Sequence, residues 1–148
     1  ETWAAFRVGR RANASVDELN FGKKEIFCSG SHNGYRFLRG SPSHHRSLRL
    51  RKTSLEINDT VISNPHYDSI INFYFYPGIE MLSEKDDNTI SLSFKRNLIC
   101  KIQVLNCERY YIRQATWNSG FGKIEKNKKL SISVSHNLSG PTKTIFRW

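Results

Sequence analysis

Residues 47–59, SLRLRKTSLEIND, decide the fold because apolar and polar residues alternate on both sides of a short polar turn. Alternation runs through residues 47–51 and resumes in residues 55–58, after Lys52, Thr53 and Ser54. A period of two is that of a β-strand with one face on the core. Two such runs joined by a short turn predict an antiparallel hairpin.

The same alternation recurs along the chain, between turns rich in Gly, Pro, Asn and Ser. It predicts strands in residues 70–76, 90–94, 99–104, 110–113, 130–134 and 144–146, with shorter candidates in residues 6–8, 14–16 and 26–28. Residues 118–129 are predicted to be an exposed basic loop, and no segment has a convincing helical period. About ten or eleven short strands predict an all-β fold, a single antiparallel β-sandwich domain over residues 1–148.

The overall charge narrows the choice of partners. Of 148 residues, 23 are Lys or Arg and 13 are Asp or Glu, so the net charge is +10. A basic protein attracts polyanions in general: nucleic acid, acidic polysaccharide or an anionic membrane surface. The sequence contains no recognisable nucleic-acid-binding motif, so nucleic acid is not favoured, and no apolar run approaches the roughly 18 residues of a membrane span.

The cysteines leave two possibilities open. Cys28, Cys100 and Cys107 form no C-x-x-C pair, so the sequence predicts no thiolate zinc site. A Cys100–Cys107 bridge across a tight connection is one option. Three free, partly buried thiols are the other and the favoured one, because free cysteine behaves as a small hydrophobe.

The stretch SHNGYRFLRG, residues 31–40, is the first candidate site. Asn33-Gly34 is a strong two-residue turn signal, which would place His32 and Tyr35 side by side at a hairpin end. Histidine and tyrosine can transfer protons, and Arg36 could clamp a carboxylate. The alternative is a polar surface hairpin without a function of its own.

Three more basic residues follow at His44, His45 and Arg46. Adjacent strand residues point to opposite faces, so His44 and Arg46 share one face and His45 lies on the other. A metal shared by His32, His44 and His66 has no ligand spacing to support it, and no metal site is predicted.

Arginine dominates the basic residues of the first third of the chain, which suits planar carboxylate, sulfate or phosphate contacts. Interleaved aromatic residues could stack on sugar faces or bases. The alternative is an outward strand face that carries charge. The arginines are Arg7, Arg10, Arg11, Arg36, Arg39, Arg46, Arg49 and Arg51, and the aromatic residues Tyr35, Phe37, Tyr74 and Tyr76. The candidate substrate-binding residues are His32, Tyr35, Arg36, Arg39, His44, Arg46 and Tyr74.

Four short motifs in the same order give the sequence a family resemblance. They are W-x-x-F-R-V-x-R-R-A in residues 3–12, H-N-G-Y-R in 32–36, P-x-x-H-R in 42–46 and L-x-I-x-D in 55–59. This ordered set, within about the first 80 residues, resembles the heparinase II/III-like family.

The resemblance implies a polysaccharide lyase, a carbon–oxygen lyase with an N-terminal α-helical toroid and a C-terminal antiparallel β-sandwich. Such enzymes carry out β-elimination on uronic-acid polymers. A base removes the proton next to a neutralised carboxylate, and a tyrosine or histidine protonates the leaving oxygen. By resemblance, the catalytic residues belong to the toroid and to sandwich strands that precede residue 3. No catalytic or metal-binding residue is therefore expected here, although the parent could hold a structural divalent metal such as zinc.

The sequence is thus expected to be the C-terminal part of a longer lyase, supporting β-elimination of uronic-acid glycans but inactive alone. The alternative is a non-catalytic structural or polyanion-binding sandwich. The expected partners are an acidic polysaccharide and the catalytic part of the same polypeptide. The compartment would be periplasmic or extracellular if the parent degrades glycans, and cytoplasmic if it serves polysaccharide biosynthesis.

Overall fold

A computed structural model describes residues 2–3, 7–8, 11–84 and 88–148, and these residues form thirteen strands and no helix. The strands are β1 (Thr2–Trp3), β2 (Arg7–Val8), β3 (Ala14–Phe21), β4 (Glu25–His32), β5 (Ser43–Arg51), β6 (Ser54–Ile62), β7 (Ser69–Tyr74), β8 (Ile79–Ser83), β9 (Thr89–Phe94), β10 (Asn97–Leu105), β11 (Arg109–Gly120), β12 (Lys123–Val134) and β13 (Thr142–Arg147). The hairpin predicted from residues 47–59 is confirmed as β5–β6, with Leu50 opposite Leu55.

Two antiparallel sheets make up the sandwich. The large sheet has the strand order β3-β4-β5-β6-β13-β10-β9-β8, the small sheet the order β11-β12-β7, and β1 and β2 form a separate short pair. Fully buried aliphatic side chains between the sheets form the core, from β9 and β10 on one side and β12 on the other. They are Ile90, Ile102, Val104, Leu130 and Ile132, each with 0% of its surface exposed. The predicted all-β antiparallel sandwich is confirmed.

The Asn33-Gly34 prediction was wrong in its local geometry. Strand β4 ends at His32 and β5 begins at Ser43, so a ten-residue loop, residues 33–42, replaces a two-residue turn. Successive backbone hydrogen bonds shape this loop, among them one of 2.9 Å from the Leu38 amide to the Tyr35 carbonyl. His32 and Tyr35 still lie side by side, with ring centroids 5.5 Å apart.

The basic loop predicted for residues 118–129 was also wrong. This segment is the distal half of a long hairpin in which β11 pairs with β12 from Arg109↔Ser133 to Gly120↔Lys123. Its turn contains Gly122, whose positive φ of 70° suits glycine. The ladder satisfies the backbone groups, so lysine-rich composition does not prevent strand formation.

Four smaller outcomes complete the comparison with the sequence. Strand β8 was not foreseen, while Cys28, Cys100 and Cys107 are free and partly buried, as favoured. Phe6, in one short candidate strand, lies outside the described residues. Nowhere in the described ranges is there a helix with the length and apolarity needed to cross a bilayer.

The core predicts that truncating an inward aliphatic side chain costs much more stability than truncating an outward one. Ile132→Ala should lower the free energy of unfolding by about 2–5 kcal/mol, because a fully buried side chain would leave a cavity. Leu82→Ala, at a position that is 71% exposed, should cost less than about 0.5 kcal/mol. Chemical denaturation checks both values, and equal losses would contradict this assignment of the core.

Candidate functional site

A groove with a volume of about 940 Å³ opens at one end of the sandwich. Its walls come from β5 and β6 of the large sheet, β7 and the end of β12 in the small sheet, and the loops beside them. The volume is within the range of small-molecule sites. Side chains able to bind or titrate line it: His32, Tyr35, His44, Arg46, Asp59, His66, Asp68 and His136.

Asp59 is the buried centre of the large-sheet wall, with 2% of its side chain exposed. The Arg46 guanidinium donates to both carboxylate oxygens, from Nε at 2.7 Å and from Nη2 at 3.1 Å, while His44 Nε2 lies 2.7 Å from Oδ1. The ladder brings them together, because Arg46 and Asp59 are direct cross-strand partners. Burial alone would raise the pKa of Asp59, but the hydrogen bonds from His44 and Arg46 outweigh it and hold the pKa below its ordinary value.

His32 extends this network to β4. The Gly34 amide donates to His32 Nδ1 at 3.2 Å, and a backbone N–H can only donate. In a neutral His32 the proton is therefore on Nε2, which donates to His44 Nδ1 at 3.0 Å, and His44 in turn donates from Nε2 to Asp59. Desolvation, followed by the charges of His44 and Arg46, lowers the pKa of His32. All four ring nitrogens of the two histidines are thus engaged within the protein.

A second carboxylate–imidazole pair, Asp68 and His136, lies on the opposite wall. Asp68 Oδ1 accepts a hydrogen bond from the His136 amide at 2.8 Å and lies 2.8 Å from His136 Nδ1. These hydrogen bonds lower the pKa of Asp68, and the one from the His136 amide has the larger effect. The contact joins the segment before β7 to the segment after β12, but its side chains are 50% and 73% exposed, so it stabilises this wall less than the buried Asp59 network stabilises the other.

The sequence-predicted site residues do not all meet. His32, Tyr35, His44 and Arg46 line the groove, and His44 and Arg46 share a face as predicted. The structure separates the others from it: Arg36 and Arg39 are exposed in the loop of residues 33–42, and Tyr74 points outward from the small sheet.

The arginines of the first third likewise do not form one face. Arg46 points into the groove, whereas Arg49 and Arg51 lie on the other side of β5 and contact Glu25 at 3.7 Å and 3.0 Å. Arg46 and Arg49 differ by an odd number of strand positions, which places them on opposite faces. The side chains of Arg7 and Arg10 lie outside the described residues.

The candidate binding set drawn from the sequence left out four groove residues: Asp59, His66, Asp68 and His136. Asp59 had a usable signal, since a hairpin turning at Lys52–Thr53 sets it opposite Arg46. The other three reach the groove through contacts that no local pattern encodes. Among the described residues no three His, Cys, Asp or Glu side chains form a group that could hold a metal.

The Asp59 network predicts that removing the charge of Asp59 strongly destabilises the fold. Asp59→Asn should lower the free energy of unfolding by about 2–4 kcal/mol, because Arg46 and His44 would lose a buried anionic partner. Glu25→Gln is the matched control, an acid that also contacts two cations but is 36% exposed, and should cost less than about 1 kcal/mol. Urea denaturation at pH 7 compares them, and a smaller loss for Asp59→Asn would contradict the network's role.

The lowered pKa of His32 predicts a pH dependence of stability. Between the ordinary value of 6.5 and the lower folded value, the unfolded chain binds the proton and the folded chain does not. Stability should therefore fall as the pH drops below 6.5. His32→Gln should flatten this slope, while His66→Gln, at an exposed groove position, should keep it. Thermal melts from pH 7 to pH 5 test this, and identical slopes for wild type and His32→Gln would refute it.

Comparison with known proteins agrees with this architecture. Residues 1–147 match the family described as "Heparinase II/III-like, C-terminal". The structure is similar to a mutant of heparan sulfate lyase HepC from Pedobacter heparinus, with a TM-score of 0.75 and 14% identity over 90% of this chain and 21% of that one. It is also similar to a heparinase III, with a TM-score of 0.70 and 15% identity over 90% of this chain and 20% of that one.

No curated protein matches the sequence. The chain spans about a fifth of the length of the solved structures that resemble it. Their low identity shows a shared fold, whereas the match over residues 1–147 covers nearly all of the sequence. The chain therefore belongs to the heparinase II/III-like family and corresponds to the C-terminal domain of that family.

Proposed function

We propose that this domain holds an acidic glycan for a polysaccharide lyase and has no lyase activity of its own. Family membership supports a lyase as the parent. The heparan sulfate lyases whose fold it shares, together with the net charge of +10, support an acidic glycan as the substrate class. We infer uronic-acid-containing polymers as the ligands and β-elimination as the reaction that the domain supports.

The observation that carries the proposal is the commitment of His32 and His44 to hydrogen bonds within the protein. β-Elimination needs a base with a free lone pair within reach of the substrate proton. His32 receives the Gly34 amide at Nδ1 and contacts His44 at 3.0 Å, and His44 contacts Asp59 at 2.7 Å. Neither ring has a nitrogen left over for a substrate, so the network shapes the groove and does not act as a base.

The groove nevertheless offers a sugar several contacts. Tyr35 stands at its edge, 47% exposed, and His66 is exposed on the opposite side. Exposed Arg36 and Arg39, in the loop that carries Tyr35, add positive charge nearby. Aromatic, imidazole and guanidinium groups around a concave surface suit a polar, anionic ring.

A purely structural sandwich is the second candidate function. It is favoured by the neutralisation of charge in the groove wall, since Arg46 is paired with the buried carboxylate of Asp59. Under this alternative the domain would bind no acidic polymer even at low salt, while a glycan-holding domain binds it and releases it as salt rises.

Binding to heparan sulfate tests the proposal. The 148-residue chain should be retained at low salt and eluted by added salt, because exposed charge contacts are screened. Tyr35→Ala should weaken binding several-fold, while Phe21→Ala, an aromatic on the edge strand β3 that is 74% exposed, should leave it unchanged. No unsaturated uronate product should absorb in the ultraviolet after incubation. Absence of retention would eliminate the glycan-holding role, and product formation would eliminate the claim of inactivity.

A further inference from the structure

The small sheet has a second surface that the groove does not use, called here the outer face. It is formed by outward side chains of β7, β11 and β12 together with Tyr76, which continues β7. The aromatic and basic ones used below are Tyr74, Tyr76, Tyr111, Arg113, Trp117 and Lys129. Exposure alternates along β7, where Phe73 packs on the core and Tyr74 is 56% exposed. Tyr76 is 63% exposed and continues the outward side.

Strand register builds a row of side chains across this face. Tyr74 pairs with Lys129, which pairs with Arg113, so the three point to the same side of adjacent strands. At about 4.8 Å per strand the row spans roughly 10 Å. The Lys129 ammonium lies 5.4 Å from the centre of the Tyr74 ring, and the Arg113 guanidinium 4.8 Å from that of Tyr111.

The distal half of the β11–β12 hairpin lengthens the aromatic surface. Trp117 differs from Arg113 by an even number of positions and therefore shares its face. Its ring contacts Tyr76 in an edge arrangement, with centroids 6.2 Å apart. Tyr74 lies two residues before Tyr76 on the same side of β7, so Tyr74, Tyr76 and Trp117 form a partly exposed aromatic track, with Lys129 beside Tyr74.

These cations differ from those of the large sheet. There Arg49, Arg51 and Lys143 contact Glu25 or Glu56. Within the described residues, Arg113 and Lys129 make no ion pair and rest on aromatic rings instead. The one carboxylate of the outer-face ladder, Glu125, is opposite Trp117 at the far end.

An apolar protein partner would have to bury two uncompensated cations, which is costly. A ligand that combines apolar ring faces with anionic groups avoids that cost, since each cation gains a partner. We propose that the outer face is a second binding site for an acidic oligosaccharide. Its sugar rings lie on Tyr74, Tyr76 and Trp117, and its carboxylate or sulfate groups contact Arg113 and Lys129. The choice of ligand rests on the proposed function, but the site is separate from the groove.

The test measures the affinity of the 148-residue chain for a fluorescently labelled heparin octasaccharide by anisotropy at low salt. Tyr74→Ala and Trp117→Ala should each weaken binding about five- to thirtyfold, the loss expected for one stacked ring. Phe121→Ala is the matched control, because that fully exposed ring lies at the hairpin turn beyond the track, and it should bind as wild type.

Charge is tested in the same way. Lys129→Gln should weaken binding and reduce its salt dependence, while Lys52→Gln, in the β5–β6 turn of the other sheet, should do neither. Unlabelled cellohexaose should not compete. Unchanged thermal midpoints would show that the variants fold.

The outcomes separate the two sites. Loss of affinity for Tyr35→Ala alone would overturn the outer face and keep the groove, and loss for Tyr74→Ala and Trp117→Ala alone would do the reverse. A wild-type chain that binds no octasaccharide at low salt overturns both. Equal affinity for cellohexaose, or for single-stranded DNA of similar length, overturns the acidic oligosaccharide as the ligand of the outer face.

Discussion

The buried carboxylate of Asp59 is the constraint on which the groove end of the sandwich depends. A carboxylate out of contact with water must be neutralised and hydrogen-bonded, or the fold loses several kcal/mol. Its partners Arg46 and His44 come from the neighbouring strand β5. His44 in turn accepts a hydrogen bond from His32 of β4. One buried charge therefore sets the side-chain arrangement of three adjacent strands, and the groove wall is the surface that results.

The apolar core and the polar network are connected through Arg46. Its guanidinium carbon lies 5.6 Å from the centre of the Phe73 ring, and Phe73 meets Phe146 edge-on with centroids 5.7 Å apart. Both phenylalanines pack against the core of Ile102, Ile132 and their neighbours. The same arginine thus packs on the core with one surface and neutralises Asp59 with its donors, which suits the planar guanidinium better than an ammonium group.

Local sequence patterns predicted most strands, because alternation reports which side of a strand is buried. The β5–β6 hairpin was predicted correctly, and its register implied the Arg46–Asp59 pair. Local patterns failed where long-range pairing decides the structure. Residues 118–129 look like a basic loop, but Glu125–Lys129 pair residue by residue with β11 and Lys123 pairs with Gly120. Asn33-Gly34 favours a tight turn, but the chain makes a wider loop in which the Gly34 amide orients His32. His136 reaches Asp68 across 68 residues, a contact beyond any local period.

The groove and the outer face differ in how their charged groups are paired. Those of the groove contact carboxylates of the protein, whereas those of the outer face are available to a ligand. In the groove, Arg46 is paired with the buried Asp59, and His44 and His136 contact carboxylates, so these groups have few free donors and little charge left for a ligand. On the outer face, Arg113 and Lys129 rest on tyrosine rings and keep their charge available to an incoming anion. A ligand anion that replaces water at these cations needs no internal ion pair to break, whereas an anion at Arg46 would compete with a bidentate carboxylate. Under the proposed function, the contribution of charge to glycan binding should therefore be larger on the outer face, and the groove should contribute through shape and ring contacts.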